Sequence, residues 1–122
     1  MTALLIAAGG ALGAVLRYLI DHAVQRRSDG GFPYGTLTVN VLGSALLGLL
    51  AGLTLDGASG DAVRSLVGIG LCGSLTTYST FGYETVRLLT DGARRQAVVN
   101  VVGTILAGFA AAGAGLLLAA AF

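Results

Sequence analysis

The chain has 122 residues, 55% of them hydrophobic and 11% charged, with a formal net charge of +1. Soluble domains carry about 25% charged residues, so a chain this short and apolar lacks the polar surface that water demands, and a bilayer suits it. All seven basic residues are arginines with no dense basic face, which excludes a nucleic-acid footprint, and the single Cys72 excludes an intrachain disulfide or a cysteine metal cluster.

Four apolar segments follow one another. The first runs from about Ala3 to Ile20, the second from Gly35 to Leu55, the third from Val63 to Leu89 and the fourth from Ala97 to Phe122. Each reaches the ~20 residues that a helix needs to span the hydrocarbon core. The first lacks a basic n-region and a convincing cleavage site, and it reads as a retained helix rather than a signal peptide. The connections carry most of the charge. Asp21, Arg26, Arg27 and Asp29, with turn residues Gly30, Gly31 and Pro33, lie in the first. Asp56, Gly57, Gly60, Asp61 and Arg64 mark the second, and Asp91, Gly92, Arg94 and Arg95 the third. The expected fold is all-α: one domain, residues 1–122, of four transmembrane helices. Cys72 reads as a small packing residue and His22 as a loop or interface histidine.

In the first segment, Arg17 sits late enough to snorkel to the interface; otherwise it forms a positive vestibule or pairs with a carboxylate. In the second, Thr36, Asn40, Ser44, Gly48 and Gly52 recur every four residues and share one helical face. Small residues permit close helix approach, and Asn or Ser hydrogen-bond across it. The glycines fit packing, whereas Asn40 fits a pore lining and interhelical bonding equally well.

The third segment is interrupted. Gly68, Gly70 and Gly73 precede Ser74, Thr76, Thr77, Ser79 and Thr80, residues that weaken a helix. A break in lipid persists only where the freed backbone faces protein, water or an ion; an intact helix with back-bonded hydroxyls is the alternative. Tyr78 and Phe81 stand three apart just after this point, as a packed pair or as ring edges facing an anion. Glu84 is the acidic residue within a span, with Arg87 three residues on as a possible ion-pair partner. In the fourth segment Asn100, Thr104, Gly108 and Ala112 repeat the four-residue stripe. Neutral donors along two stripes suit a small anion better than a cation.

These strings resemble the Fluc (CrcB-like) family of fluoride channels. The matching pieces are GGALGAVLRY from Gly9 to Tyr18, GTLTVNVLGS from Gly35 to Ser44 and GLCGSLTTYSTFGYE from Gly70 to Glu84. The resemblance covers nearly the whole chain, and the third string is the most specific. It implies an antiparallel, dual-topology homodimer in the plasma membrane that exports fluoride passively through two pathways and lowers fluoride toxicity. It implies a central sodium ion held by main-chain carbonyls of Gly73 and Thr76 from both subunits. By the same likeness the pathway takes Asn40 and Ser44 from the second helix, the aromatic box Tyr78 and Phe81 with Glu84 from the third, Thr104 from the fourth, and Arg17 from the first. There are departures: Tyr78 stands where phenylalanine is usual, Asn100 where relatives often have tyrosine, and Gly108 at a second hydroxyl position.

A small multidrug exporter, also four-spanning and dimeric, needs a carboxylate in its first helix to exchange protons for cationic drugs. This first segment has none, and Arg17 would repel a cation. A structural membrane subunit without transport is the other alternative. No nucleophile–base pair, metal-ligand cluster or phosphate loop in the sequence points to an enzyme.

Overall fold

The computed structural model describes residues 2–28, 31–55 and 60–121. Among these, three helices are long and apolar enough to cross a membrane: Thr2–Arg26, Tyr34–Leu53 and Arg94–Ala120. The elements are α1 (Thr2–Arg26), α2 (Tyr34–Leu55), α3 (Asp61–Val63), a π-helical run π1 (Arg64–Cys72), α4 (Gly73–Leu75), α5 (Ser79–Thr90) and α6 (Arg94–Ala120). Every regular element among the described residues is helical. Of the expected connections, Asp29, Gly30, Asp56 and Gly57 lie outside the described residues, as does Phe122.

Leu12, Val15 and Leu19 on α1 and Val98, Val102, Ile105, Phe109 and Leu117 on α6 are exposed. In water such surface would aggregate, whereas in lipid it is the expected outer wall. The interior is held instead by small residues. A side chain at Gly48 would strike the Ala112 carbonyl, and one at Gly115 the Ala45 carbonyl and the Leu49 amide, so α2 and α6 run backbone to backbone. Gly52 meets Ala119 and Leu116 in the same seam. The stripe on the second segment therefore lies against that on the fourth, as small-residue seams do in lipid.

A second seam was not singled out in the sequence. Gly9 and Gly13, one turn apart on α1, face the carbonyls of Leu66 and Leu71 on π1, and Gly70 in turn faces the Ile6 carbonyl. A π-helical run of nine residues is unusual. Of its glycines, Gly70 bears no Cβ to crowd the approaching α1, and Gly68 none to crowd Leu50 on α2.

The first helix outlasts its expected end at Ile20 and continues to Arg26. The reason lies in the junction with α2. The Gln25 amide donates from Nε2 to the Phe32 carbonyl at 3.0 Å, and its Oε1 accepts the Gly35 N–H at 3.0 Å, satisfying an orphan donor in the first turn of α2. Gly35 also packs against Asp21, where a side chain would not fit. Polar residues expected in a loop are thus carried on a helix. The α5–α6 turn closes on Gly92, whose φ of +82° suits glycine. Ala93 N–H bonds to the Leu88 carbonyl at 2.8 Å and Gly92 N–H to that of Leu89 at 3.2 Å, a Schellman ending.

Candidate functional site

The site begins where the helical ladder stops. Thr76 adopts an extended backbone, φ −78° and ψ 157°, and regular helix resumes at Ser79. The segment is fastened by a residue far away in sequence. Asn40 on α2 accepts the Thr77 N–H on Oδ1 at 2.8 Å and donates from Nδ2 to the Thr77 carbonyl at 3.1 Å. One side-chain amide thus pairs with both backbone polar groups of one residue, as a neighbouring strand would. Of the two roles left open for Asn40, the structure shows bonding between helices, at the edge of a cleft. The Thr77 hydroxyl accepts the Thr80 N–H at 3.2 Å, serving the open start of α5.

These bonds have a consequence for two carbonyls. In an unbroken helix the Gly73 carbonyl takes the N–H of Thr77, and the Thr76 carbonyl takes that of Thr80. Here those donors go to Asn40 and to the Thr77 hydroxyl. The Gly73 and Thr76 oxygens are among the carbonyl oxygens that lose their helical donors at the interruption, and hard oxygens at an unwound helix are groups that a sodium ion accepts.

Around this point lies a cleft of about 360 Å³. Asn40 and Ser44 reach it from α2, Gly73, Thr76 and Tyr78 from the interruption, and Thr104 with Gly108 from α6. A second hollow of about 290 Å³ shares Ser44, Thr104 and Gly108 and extends along α6 to Ala112. A Cβ at Gly108 would lie 3.6 Å from the Ser44 hydroxyl oxygen, so the glycine leaves that hydroxyl room. Six of the nine expected site residues therefore meet in one place: Asn40, Ser44, Gly73, Thr76, Tyr78 and Thr104.

The other three stand around it. Phe81 joins through its ring, 6.2 Å from that of Tyr78 and tilted by 54°, within the range of edge-to-face pairs. Tyr78 is 87% exposed and Phe81 half-buried. Arg17 lines a separate hollow of about 180 Å³ with Asp21, Thr36, Thr77 and Thr80. Thr77, the residue held by Asn40, borders both this hollow and the main cleft. Glu84 is half-buried, with Thr36, Asp21 and Arg87 as its polar surroundings. Its Oε1 and the hydroxyl oxygen of Thr36, which is 3% exposed, are buried without a hydrogen bond of standard geometry. The Arg87 guanidinium donates to the Gly31 carbonyl at 3.2 Å instead of closing an ion pair with Glu84. His22, expected in a loop or interface, is the last aromatic of α1 and stacks on Tyr18, ring centroids 5.8 Å apart.

Asn100 is not at the cleft. It is 2% exposed, between α5 and α6, where it donates to the Thr85 hydroxyl at 2.9 Å. Its place in the stripe was readable from spacing; its partner on another helix was not.

With this geometry in view, comparison with known proteins is decisive. Residues 4–116 match the family described as CrcB-like protein, Camphor Resistance (CrcB). The chain belongs to the CrcB-like family. A relative from Frankia casuarinae, named fluoride-specific ion channel FluC 1, is 57% identical over 126 residues, covering 99% of this chain and 98% of its own. A Streptomyces avermitilis protein of the same name is 48% identical over 116 residues, covering 95% and 94%. FluC 2 of Haloarcula marismortui is 52% identical over 101 residues, 83% of this chain and 79% of its own. Membership in the CrcB-like family agrees with a multi-pass membrane protein, and it favours neither the multidrug exporter nor the structural subunit.

Proposed function

We propose that this chain is a fluoride-selective channel of the cytoplasmic membrane, with the cleft at the interruption as part of its pathway. The observation that carries this reading is the convergence of Asn40, Ser44, Thr104 and the Tyr78–Phe81 pair on one cleft. Hydroxyls and an amide proton give an anion donors without fixed charge, and ring edges add electropositive rims. Sites of that strength let an ion enter and leave, as conduction needs. Fluoride efflux from vesicles containing only this protein, set against chloride, tests it.

The third span, on this reading, is the run from α3 to α5, crossing the membrane in two pieces. An interruption at mid-depth is tolerated in part because Asn40 and the Thr77 hydroxyl satisfy the Thr77 N–H and carbonyl and the Thr80 N–H. The Gly73 and Thr76 carbonyls, relieved of their helical donors, are the groups that would hold sodium. Two oxygens from one chain are too few for a hard cation, and a second copy related by a two-fold axis would double them. A sodium ion bound there would supply positive charge to the carbonyls of both interruptions. Asn40, by taking the Thr77 N–H, keeps that donor from the Gly73 carbonyl.

A two-fold axis in the membrane plane requires antiparallel copies. The arginines oppose this: Arg26, Arg27, Arg94 and Arg95 fall in connections on one side of the membrane and Arg64 in the connection on the other, which by the positive-inside rule favours one orientation. We expect both orientations nonetheless. A single cysteine placed at the C-terminus should react with impermeant reagent from both sides of the membrane, and the dimer should show sodium density on its axis. Labelling from one side alone, or a metal-free axis, would contradict the assembly.

A further inference from the structure

The hydrogen bonds around Asn100 form a chain with a direction. Thr85 donates its hydroxyl proton to the Phe81 carbonyl at 2.8 Å. A carbonyl only accepts, so that proton is committed and the Thr85 oxygen is left as an acceptor. The group at 2.9 Å from it on Asn100 must therefore be the amide nitrogen. This fixes the orientation of the Asn100 side chain and turns its Oδ1 toward Thr104. The Thr104 hydroxyl, which lines the cleft, donates to that oxygen at 3.5 Å. This last bond is at the limit of hydrogen-bond length, whereas the two before it are short.

We infer that Asn100 is a positioning residue that keeps the Thr104 hydroxyl available as a proton donor to a passing anion. The inference rests on the channel reading above. A helical threonine ordinarily returns its proton to the carbonyl four residues back, as Thr38, Thr76 and Thr85 do here at 2.8, 2.9 and 2.8 Å. Such a bond competes with an anion for the proton. Asn100 Oδ1 draws the Thr104 proton away from that carbonyl into a long bond, which an anion displaces at little cost. With the amide reversed, nitrogen would face Thr104, and the hydroxyl proton would return to the residue-100 carbonyl, the competing bond. Thr85, through its commitment to the Phe81 carbonyl, prevents the reversal. The same chain ties the backbone of the aromatic pair to the donor across the cleft.

Two measurements test this. In an experimental structure of Asn100→Leu, Thr104 should change rotamer and place its hydroxyl about 3 Å from the residue-100 carbonyl; an unchanged Thr104 would overturn the inference. In vesicles, Asn100→Leu and Thr104→Val should each slow fluoride efflux by about tenfold, and the double variant should be no slower than Thr104→Val alone. Multiplying effects would show that Asn100 acts as general scaffold, against the inference. Were the parent protein to carry no fluoride at all, the channel reading would fall, and the Asn100→Leu structure would judge the positioning role independently.

Discussion

Replacing Phe81 with isoleucine should slow fluoride efflux by at least about tenfold, the factor that ~1.4 kcal/mol of lost barrier stabilisation gives. The side chain stays apolar and bulky, so the half-buried position remains filled and the protein stays folded. What disappears is the electropositive ring edge. The Phe81 ring stands 6.2 Å from that of Tyr78, and together they offer two weak rims in succession rather than one deep site. Tyr78→Phe is the counterpart. It removes the hydroxyl by which this chain departs from its family and keeps the edge, so efflux should stay close to that of the parent. Efflux rates from vesicles reconstituted with each variant decide the matter. Parent-like conduction by Phe81→Ile would mean that the pair is packing alone.

Asn40→Leu should cost more, since it removes two bonds to one residue's backbone at once. The part-buried Thr77 N–H and carbonyl would lose their partner, and a buried group left unmet costs about 1–3 kcal/mol. Partial repair is available: the Thr77 N–H regains the Gly73 carbonyl and the helix closes by one bond. That repair withdraws one of the carbonyls proposed for sodium and moves Thr77, which borders the cleft and the Arg17 hollow. Thermal unfolding in detergent should report a loss of about 2 kcal/mol, and fluoride efflux should fall to background. Parent-like stability and efflux in Asn40→Leu would show that the interruption does not depend on this amide. Serine at the same position is the milder variant, with one bond to Thr77 recoverable at most.

The sequence disclosed some of this architecture directly and concealed other parts for physical reasons. Length and hydropathy mark α1, α2 and α6, because a span is a property of composition. The four-residue stripes through Asn40 and Asn100 were also legible as helix faces, since polar and small residues stand out against leucine and valine. The Gly9–Gly13 seam escaped notice because glycines in an apolar helix have no polar mark, and only the neighbour at van der Waals distance reveals their use. The π-helical run escaped too, because π and α turns are built from the same residues. The end of α1 was placed early because Asp21 and Arg26 look like loop residues until Gln25 and Gly35 are seen to join them to α2.

The candidate site divides in the same way. Residue types identified Asn40, Ser44, Thr104 and the aromatic pair, yet bonding partners distant in sequence decide what each does. Asn40 meets Thr77 across 37 positions and Asn100 meets Thr85 across 15. Arg87 illustrates the opposite error: three residues from Glu84 on one helix, it invites an ion-pair reading, and its guanidinium instead reaches Gly31, 56 positions away.

The most direct test of the central claim is anion efflux from vesicles that contain this protein and no other. Loaded with equal fluoride and chloride and opened to potassium by an ionophore, they should release fluoride rapidly and passively while chloride stays within. On the channel reading, narrowness and dehydration along the pathway exclude the larger ion. Chloride release as fast as fluoride release, or no fluoride release from vesicles with correctly folded protein, would contradict the account.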